Sequence, residues 1–224
     1  AEIKDINTAI SQYDADYHRY PVGKMARKFG ADDTSPDFTF GTVHSVSRDL
    51  GSFQQVPLIP GRGKNKPWAP PPYTTYQVAK PVSYKASNAE VISILRDATD
   101  SADGAVSWNQ EHSLNPKRTV YLNARSANTV AAAGIGPDGV YRDPWKNPYI
   151  ISLDLNGDEK CRDEFYRLAA VSSRNPAQND PHGLNGLNRA SDAKDRDSFE
   201  ASTGVMIWSL GPDQMVNPGA LATQ

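Results

Sequence analysis

Three oxygen-bearing side chains fall at alternate positions in the stretch Asp154-Leu155-Asn156-Gly157-Asp158-Glu159-Lys160. Hard cations need several oxygens within a small radius. The calcium loop of an EF-hand supplies them from positions one, three and five, from a main-chain carbonyl at seven and from a bidentate Glu at twelve. Counted from Asp154, Asn156 and Asp158 take positions three and five, and Lys160 offers the carbonyl of position seven. Position six is Glu159 where that loop carries Gly, and position twelve is Phe165, so Asp163 or Glu164 has to stand in for the missing carboxylate. The chemistry this pattern suggests is reversible calcium binding without turnover. The same residues are good turn formers, and a solvated turn is the second reading of the stretch.

Patterns for other chemistries fail on spacing. His18, His44, His112 and His182 are scattered, with none of the i, i+4 pairing that a zinc protease uses. There is no G-x-S-x-G elbow. Gly134-Ile135-Gly136-Pro137-Asp138-Gly139 satisfies the dinucleotide pattern in letters, but Pro144 and Pro148 follow where a helix has to open, so the glycines read as turn residues. Gly61-Arg62-Gly63-Lys64 lacks both the upstream Gly and the Ser or Thr of a phosphate loop. No enzyme is expected.

The elements that would hold the loop can be read from periodicity. Ile3, Ile6, Ile10, Tyr13 and Tyr17 recur at three- and four-residue spacings, with charged and polar residues between them, and predict an amphipathic helix over residues 1–18 that packs its stripe on a sheet. Pro21 and Gly23 end it. Residues 22–41 read as loop with a short strand at 38–40. Seven prolines and the basic residues Arg62, Lys64 and Lys66 fall within residues 51–86, so helix is excluded and extended structure is expected. Trp68, Tyr73 and Tyr76 in that stretch either pin a long excursion to the surface or face a partner. Ser87-Asn88-Ala89-Glu90 has the form of a capping box before a helix over residues 88–99. Strands are expected at 118–123, 149–153 and 205–210, within a sheet region spanning 118–213 that a polar insertion at 170–203 interrupts. Trp145 between Pro144 and Pro148 reads as a core plug or as an exposed stacking platform.

The totals fit one globular domain over residues 1–224. The chain is 38% hydrophobic and 22% charged, with a formal net charge of -2. That balance has no basic field, so no nucleic-acid partner is expected. A single cysteine, Cys161, excludes an internal disulfide. No apolar run of about 18 residues occurs that would span a bilayer. The helical pattern starting at Ala1, with no initiator Met, suggests a processed or trimmed N-terminus.

Three blocks, Tyr17-His18-Arg19-Tyr20-Pro21, Asp143-Pro144-Trp145-Lys146-Asn147-Pro148-Tyr149 and Trp208-Ser209-Leu210-Gly211-Pro212-Asp213, occur in an order that resembles the major pseudopilin of bacterial type II secretion and the wider type IV pilin-like family. The family's blocks run close to Y-x-x-D-N-G-x-Y-P, D-P-W-G-N-P-Y and S-L-G-x-D-G. Lys146 and Gln214 stand where the family carries Gly, and the acidic cluster that follows the third block is missing. The resemblance implies an α+β fold with an N-terminal helix packed on a small antiparallel sheet and large loop insertions. It further implies a membrane-anchoring first half of the helix missing before Ala1, and a place at the periplasmic face of the inner membrane. The chain's partners would be further copies of itself or other pseudopilin subunits, together with the secretion machinery. Ile3, Ile6 and Ile10 would serve the helix contacts, and Asp213 becomes a further calcium-ligand candidate beside the Asp154 loop. The alternative is a free extracellular module that binds glycan or protein in a calcium-dependent way through Trp68, Tyr73, Tyr76 and Trp145.

Overall fold

The computed structural model describes residues 1–30, 37–41, 43–49, 52–57, 87–100, 107–175, 180–191 and 196–212. They form a mixed α and β fold with an N-terminal helix and small antiparallel sheets. Helix α1 spans Glu2–Tyr17 and buries Ile6, Ala9, Ile10 and Tyr13 on one face, as the stripe predicts. It ends at His18, whose left-handed backbone (φ 51°) donates its N–H to the Asp14 carbonyl at 2.7 Å, three residues before Pro21.

The central sheet has the order β1-β6-β9, with β1 at Phe38–Phe40, β6 at Ile150–Leu153 and β9 at Val205–Trp208. Both pairings are antiparallel; Thr39 lies opposite Ser152, and Ile151 opposite Ile207. The two-residue period of a strand sorts the side chains cleanly. Phe38, Phe40, Ile151, Leu153, Val205 and Ile207 join the main core under α1, together with Val91, Ile92, Ile94 and Leu95 of α3 (Ala89–Leu95). Thr39, Ile150, Ser152 and Trp208 belong to the other register, where Phe165 and Tyr166 pack on Ile150 and Trp208. Each fully buried Ile in the main core contributes about 1.5–3 kcal/mol relative to exposure.

Several expectations are corrected. Ile6 and Ile10 are completely enclosed by the domain's own core, so this fold leaves neither for a partner; Ile3 alone of the three faces solvent, at 42% exposure. A second helix, α2 at Lys24–Gly30, occupies sequence read as loop. Helix α3 stops at Leu95, because Asp97 turns left-handed (φ 55°). Of its expected capping box, Ser87 Oγ accepts the Ala89 N–H at 3.1 Å, while Glu90 and Asn88 turn to long-range partners. Glu90 accepts the Gly23 N–H at 2.7 Å. Asn88 is fully buried: its amide donates to the carbonyls of Tyr141 and Tyr149, both at 2.8 Å, and accepts the Tyr141 N–H at 3.0 Å.

Residues 118–123 form no strand: the Tyr121 and Leu122 N–H groups both donate to the single carbonyl of Leu95 at the end of α3, and no ladder follows. The sheet instead recruits Phe38–Phe40 from outside the expected 118–213 region. A hairpin of β2 (Val43–Asp49) and β3 (Ser52–Pro57) precedes most of the proline-rich stretch. The G-x-G-x-x-G letters form the turn between β4 (Gly134–Ile135) and β5 (Tyr141–Arg142), with the Gly139 N–H on the Gly136 carbonyl at 2.9 Å. The insertion expected to be polar and irregular contains most of a helical turn, α4 at Ala169–Ser172, and a short ladder of β7 (Asn188–Arg189) with β8 (Phe199–Glu200). Among the described residues no helix is long and apolar enough to cross a membrane.

Candidate functional site

Strand β6 delivers Asp154 to the edge of the core, where its N–H bonds the Gly204 carbonyl at 2.9 Å, just ahead of β9. From there the chain folds around the Asp154 carboxylate. Oδ1 accepts the Gly157 N–H at 2.6 Å and Oδ2 accepts the Glu159 N–H at 2.9 Å. Asn156 Oδ1 takes the Asp158 N–H at 3.2 Å, and Asp158 Oδ1 takes the Lys160 N–H at 3.0 Å. Two residues adopt left-handed backbone, Gly157 (φ 79°) and Glu159 (φ 61°). Glu159 thus makes, as a non-glycine, the sharp turn that a calcium loop assigns to Gly at position six.

Asp154, Asn156 and Asp158 are therefore brought into one turn, with the Lys160 backbone closing it. Asp163 is placed elsewhere. It is fully buried on the far face of the sheet. Its Oδ1 accepts the N–H groups of Phe165 at 2.8 Å and Tyr166 at 2.9 Å, and its Oδ2 accepts Ser152 Oγ–H at 2.7 Å and Trp208 Nε1–H at 3.0 Å. Four donors hold this carboxylate against the core. Glu164 faces Arg167 at 3.8 Å, and its N–H bonds Thr39 Oγ1. Among the described residues no three His, Cys, Asp or Glu side chains gather as a metal cage. Asp213, Trp68, Tyr73 and Tyr76 lie outside the described residues.

Sequence reasoning missed Asp37, which the fold places at this site. The segment Cys161 to Glu164 runs beside the start of β1, where Asp37 Oδ2 accepts the Arg162 N–H at 2.6 Å and Cys161 exchanges two 2.9 Å backbone bonds with Ala201. Burial, reinforced by the negative charges of Asp154 and Asp158, raises the Asp37 carboxyl to about 7, against the pull of the Arg162 N–H. The Cys161 thiol is pushed up by burial first, then by Asp37, Asp163 and Asp154, which keeps it protonated near neutrality. Tyr20 closes the same corner. A Cβ at Gly204 would stand 2.2 Å from its hydroxyl, and burial with the charges of Asp14 and Asp154 raises it to about 12. Lys160 and Arg162 pair with Glu200 at 2.7 Å and 2.8 Å, while Asp154 and Asp158 crowd Asp37 with like charge that Arg162 offsets in part. A bound divalent cation would relieve that crowding.

The second notable geometry is the turn from Asp143 to Asn147. Asp143 Oδ1 collects the Trp145 and Asn147 N–H groups at 2.9 Å and 2.8 Å, while the Asn147 amide donates to the Gly211 carbonyl at 2.7 Å. Lys146 sits at φ 76°, a conformation Gly adopts without strain. Trp145 is no core plug: its side chain stands out at 48% exposure, because the turn's hydrogen bonds are made by backbone and by Asp143. Sequence also left the four histidines unassigned, yet His112 Nδ1 pairs with Asp97 Oδ1 at 2.7 Å, and Asn109 donates to the same oxygen at 2.9 Å. That network ties the end of α3 to the Asn109–Ser113 turn; no periodicity signals it.

Compared with known proteins, the chain matches no protein-family model, no curated protein and no solved structure.

Proposed function

We propose that the chain is the globular part of a structural subunit in a pseudopilus or type IV pilus-like fibre, with calcium held by the Asp154 loop. The observation that carries this reading is the joining of the three sequence blocks around one helix-on-sheet unit. Tyr20 of the first block abuts Gly204 at the start of β9. Asn147 of the second bonds the Gly211 carbonyl of the third. Lys146, which stands where the resembling family has Gly, occupies a backbone conformation that favours Gly. The α1 stripe packed over an antiparallel sheet is consistent with the same reading.

In this reading α1 is the later half of a longer helix whose earlier half anchors and polymerises, and Ile3 lies where the shared helix bundle begins. The protein performs no turnover; its chemistry is packing and cation binding. The calcium set is Asp154, Asn156 and Asp158 with the Lys160 carbonyl, and further oxygens come from water. Asp163 is left to the core.

The test uses the gene's full-length product in its native host with Ile3→Cys. Fibre assembly predicts membrane partitioning and oxidative cross-links between subunits through position 3, while buried Cys161 forms none. A full-length chain that stays off the membrane and never cross-links overturns the proposal. The exposed Trp145 favours a second reading, a free glycan-binding module. A glycan array probed with the wild-type domain and with Trp145→Ala separates the two, since a fibre subunit needs no sugar affinity.

A further inference from the structure

The chain contains two Asn-Gly pairs, Asn156-Gly157 and Asn185-Gly186. Asn-Gly is the dipeptide best able to modify itself, because the glycine nitrogen reaches the asparagine side chain without a Cβ in the way. The glycine nitrogen attacks Cγ and forms a new N–Cγ bond. The Cγ–Nδ2 bond breaks, and Nδ2 leaves as ammonia with the proton lost from the glycine amide. Water then opens the cyclic imide to aspartate or isoaspartate. No catalyst or co-reactant other than water is needed.

The two pairs are held very differently. At Asn156 both reacting groups are engaged. The Gly157 N–H, the nucleophile, donates to the buried Asp154 carboxylate at 2.6 Å, and the Asn156 side-chain carbonyl, the electrophile, accepts the Asp158 N–H at 3.2 Å. Attack requires the Gly157 nitrogen to leave a charged acceptor that is itself braced by the Glu159 N–H at 2.9 Å. At Asn185 none of these restraints is found among the described residues. Asn185 and Gly186 are both exposed, and nothing lies within 4 Å of the place a Gly186 Cβ would take. The Asn185 side chain makes no hydrogen bond among the described residues. Its backbone is left-handed (φ 55°, ψ 30°), a conformation that Asn adopts more readily than most L-residues.

We propose that Asn185 is a site of spontaneous deamidation and isoaspartate formation in the folded protein, and that the Asp154 carboxylate shields Asn156 from the same reaction. Breaking one hydrogen bond to a charged group slows attack by roughly ten- to a hundredfold, which sets the expected difference between the pairs. The modified loop, carrying a new carboxylate and an extra backbone methylene, becomes a substrate for enzymes that methylate isoaspartyl carboxyl groups.

The experiment ages the folded domain at mildly alkaline pH and follows both peptides by mass spectrometry, with enzymatic isoaspartyl methylation as a second readout. The expected result is conversion at Asn185 at least about tenfold faster than at Asn156. In urea the two rates should converge, because both sites then share one unfolded chemistry. Asp154→Asn should speed conversion at Asn156 and leave Asn185 unchanged. If that variant fails to fold, the comparison between folded and urea-unfolded wild type decides alone. Equal rates in the folded protein, or a difference that persists unchanged in urea, overturns the proposal.

Discussion

Asp163→Asn separates two roles for a carboxylate that sequence spacing nominates as a cation ligand and that the fold buries. The wild-type side chain accepts four hydrogen bonds, at 2.7 to 3.0 Å, from Ser152, Trp208, Phe165 and Tyr166. An amide of the same shape keeps one acceptor oxygen but turns an NH2 toward either the two backbone N–H groups or the Ser152 and Trp208 donors. Ser152 retains Thr39 Oγ1 at 2.8 Å and can rotate to accept, so it is spared. The indole N–H of Trp208 has no such freedom. One buried donor left unpaired costs about 1–3 kcal/mol, and the lost charge weakens the remaining bonds, so the expected destabilisation is about 2–4 kcal/mol. Domains of this size are stable by only about 5–15 kcal/mol, so the loss is large. The assay is urea unfolding followed by tryptophan fluorescence, run once with calcium and once with chelator. If Asp163 is a core acceptor, the loss is the same in both conditions and the urea slope is unchanged. A loss below about 0.5 kcal/mol, or one present only with calcium, refutes the reasoning. Asp158→Asn, at an exposed carboxylate of the proposed calcium set, is the contrasting variant, whose loss should appear only with calcium.

Further predictions are equally specific. Ile10→Ala, at a completely buried position in α1, should cost about 2–5 kcal/mol, whereas Ile3→Ala, largely exposed, should change urea stability by less than about 1 kcal/mol. Asp37 has a folded value raised to about 7 from an unfolded value of about 4, so the folded state binds the extra proton and stability falls as pH rises through that window. Its share of the slope is at most about 1.4 kcal/mol per pH unit; Asp37→Asn should remove it, and an unchanged pH profile in that variant contradicts the assignment. Calcium at 100 times its dissociation constant should stabilise the domain by about 2.7 kcal/mol in thermal melts against chelator, an increment that Asp154→Asn should abolish, and superimposed melts exclude the site.

The parts of the fold legible in sequence are those with a local physical cause. The α1 stripe follows from the 3.6-residue period, and β6 from β-branched residues after a proline-restricted turn. The turn from Asp143 to Asn147 and the fold-back of residues 154–160 follow from side chains that bond the backbone two to five residues away. The missed helix α2 is only seven residues long, too short for Met25, Ala26 and Phe29 to stand out as a period, and the expected strand at residues 118–123 has β-forming residues but no ladder among the described residues. A strand is stable only through its ladder, and the open edge of β6 was taken by Phe38–Phe40 instead.

What the amino-acid order determined by itself was therefore period and turn: which segments are amphipathic, which cannot be helical, and where oxygen atoms cluster along the chain. Tertiary structure alone decided what those atoms face. Thr39 and Ser152 meet across 113 residues of sequence, and that pairing builds the sheet whose far face captures Asp163. The approach of Arg162 to Asp37, 125 residues apart, creates the buried carboxyl beside the loop. Burial and long-range pairing set both the hydrogen-bond partners and the protonation of these groups, and neither is a property of any short stretch of chain.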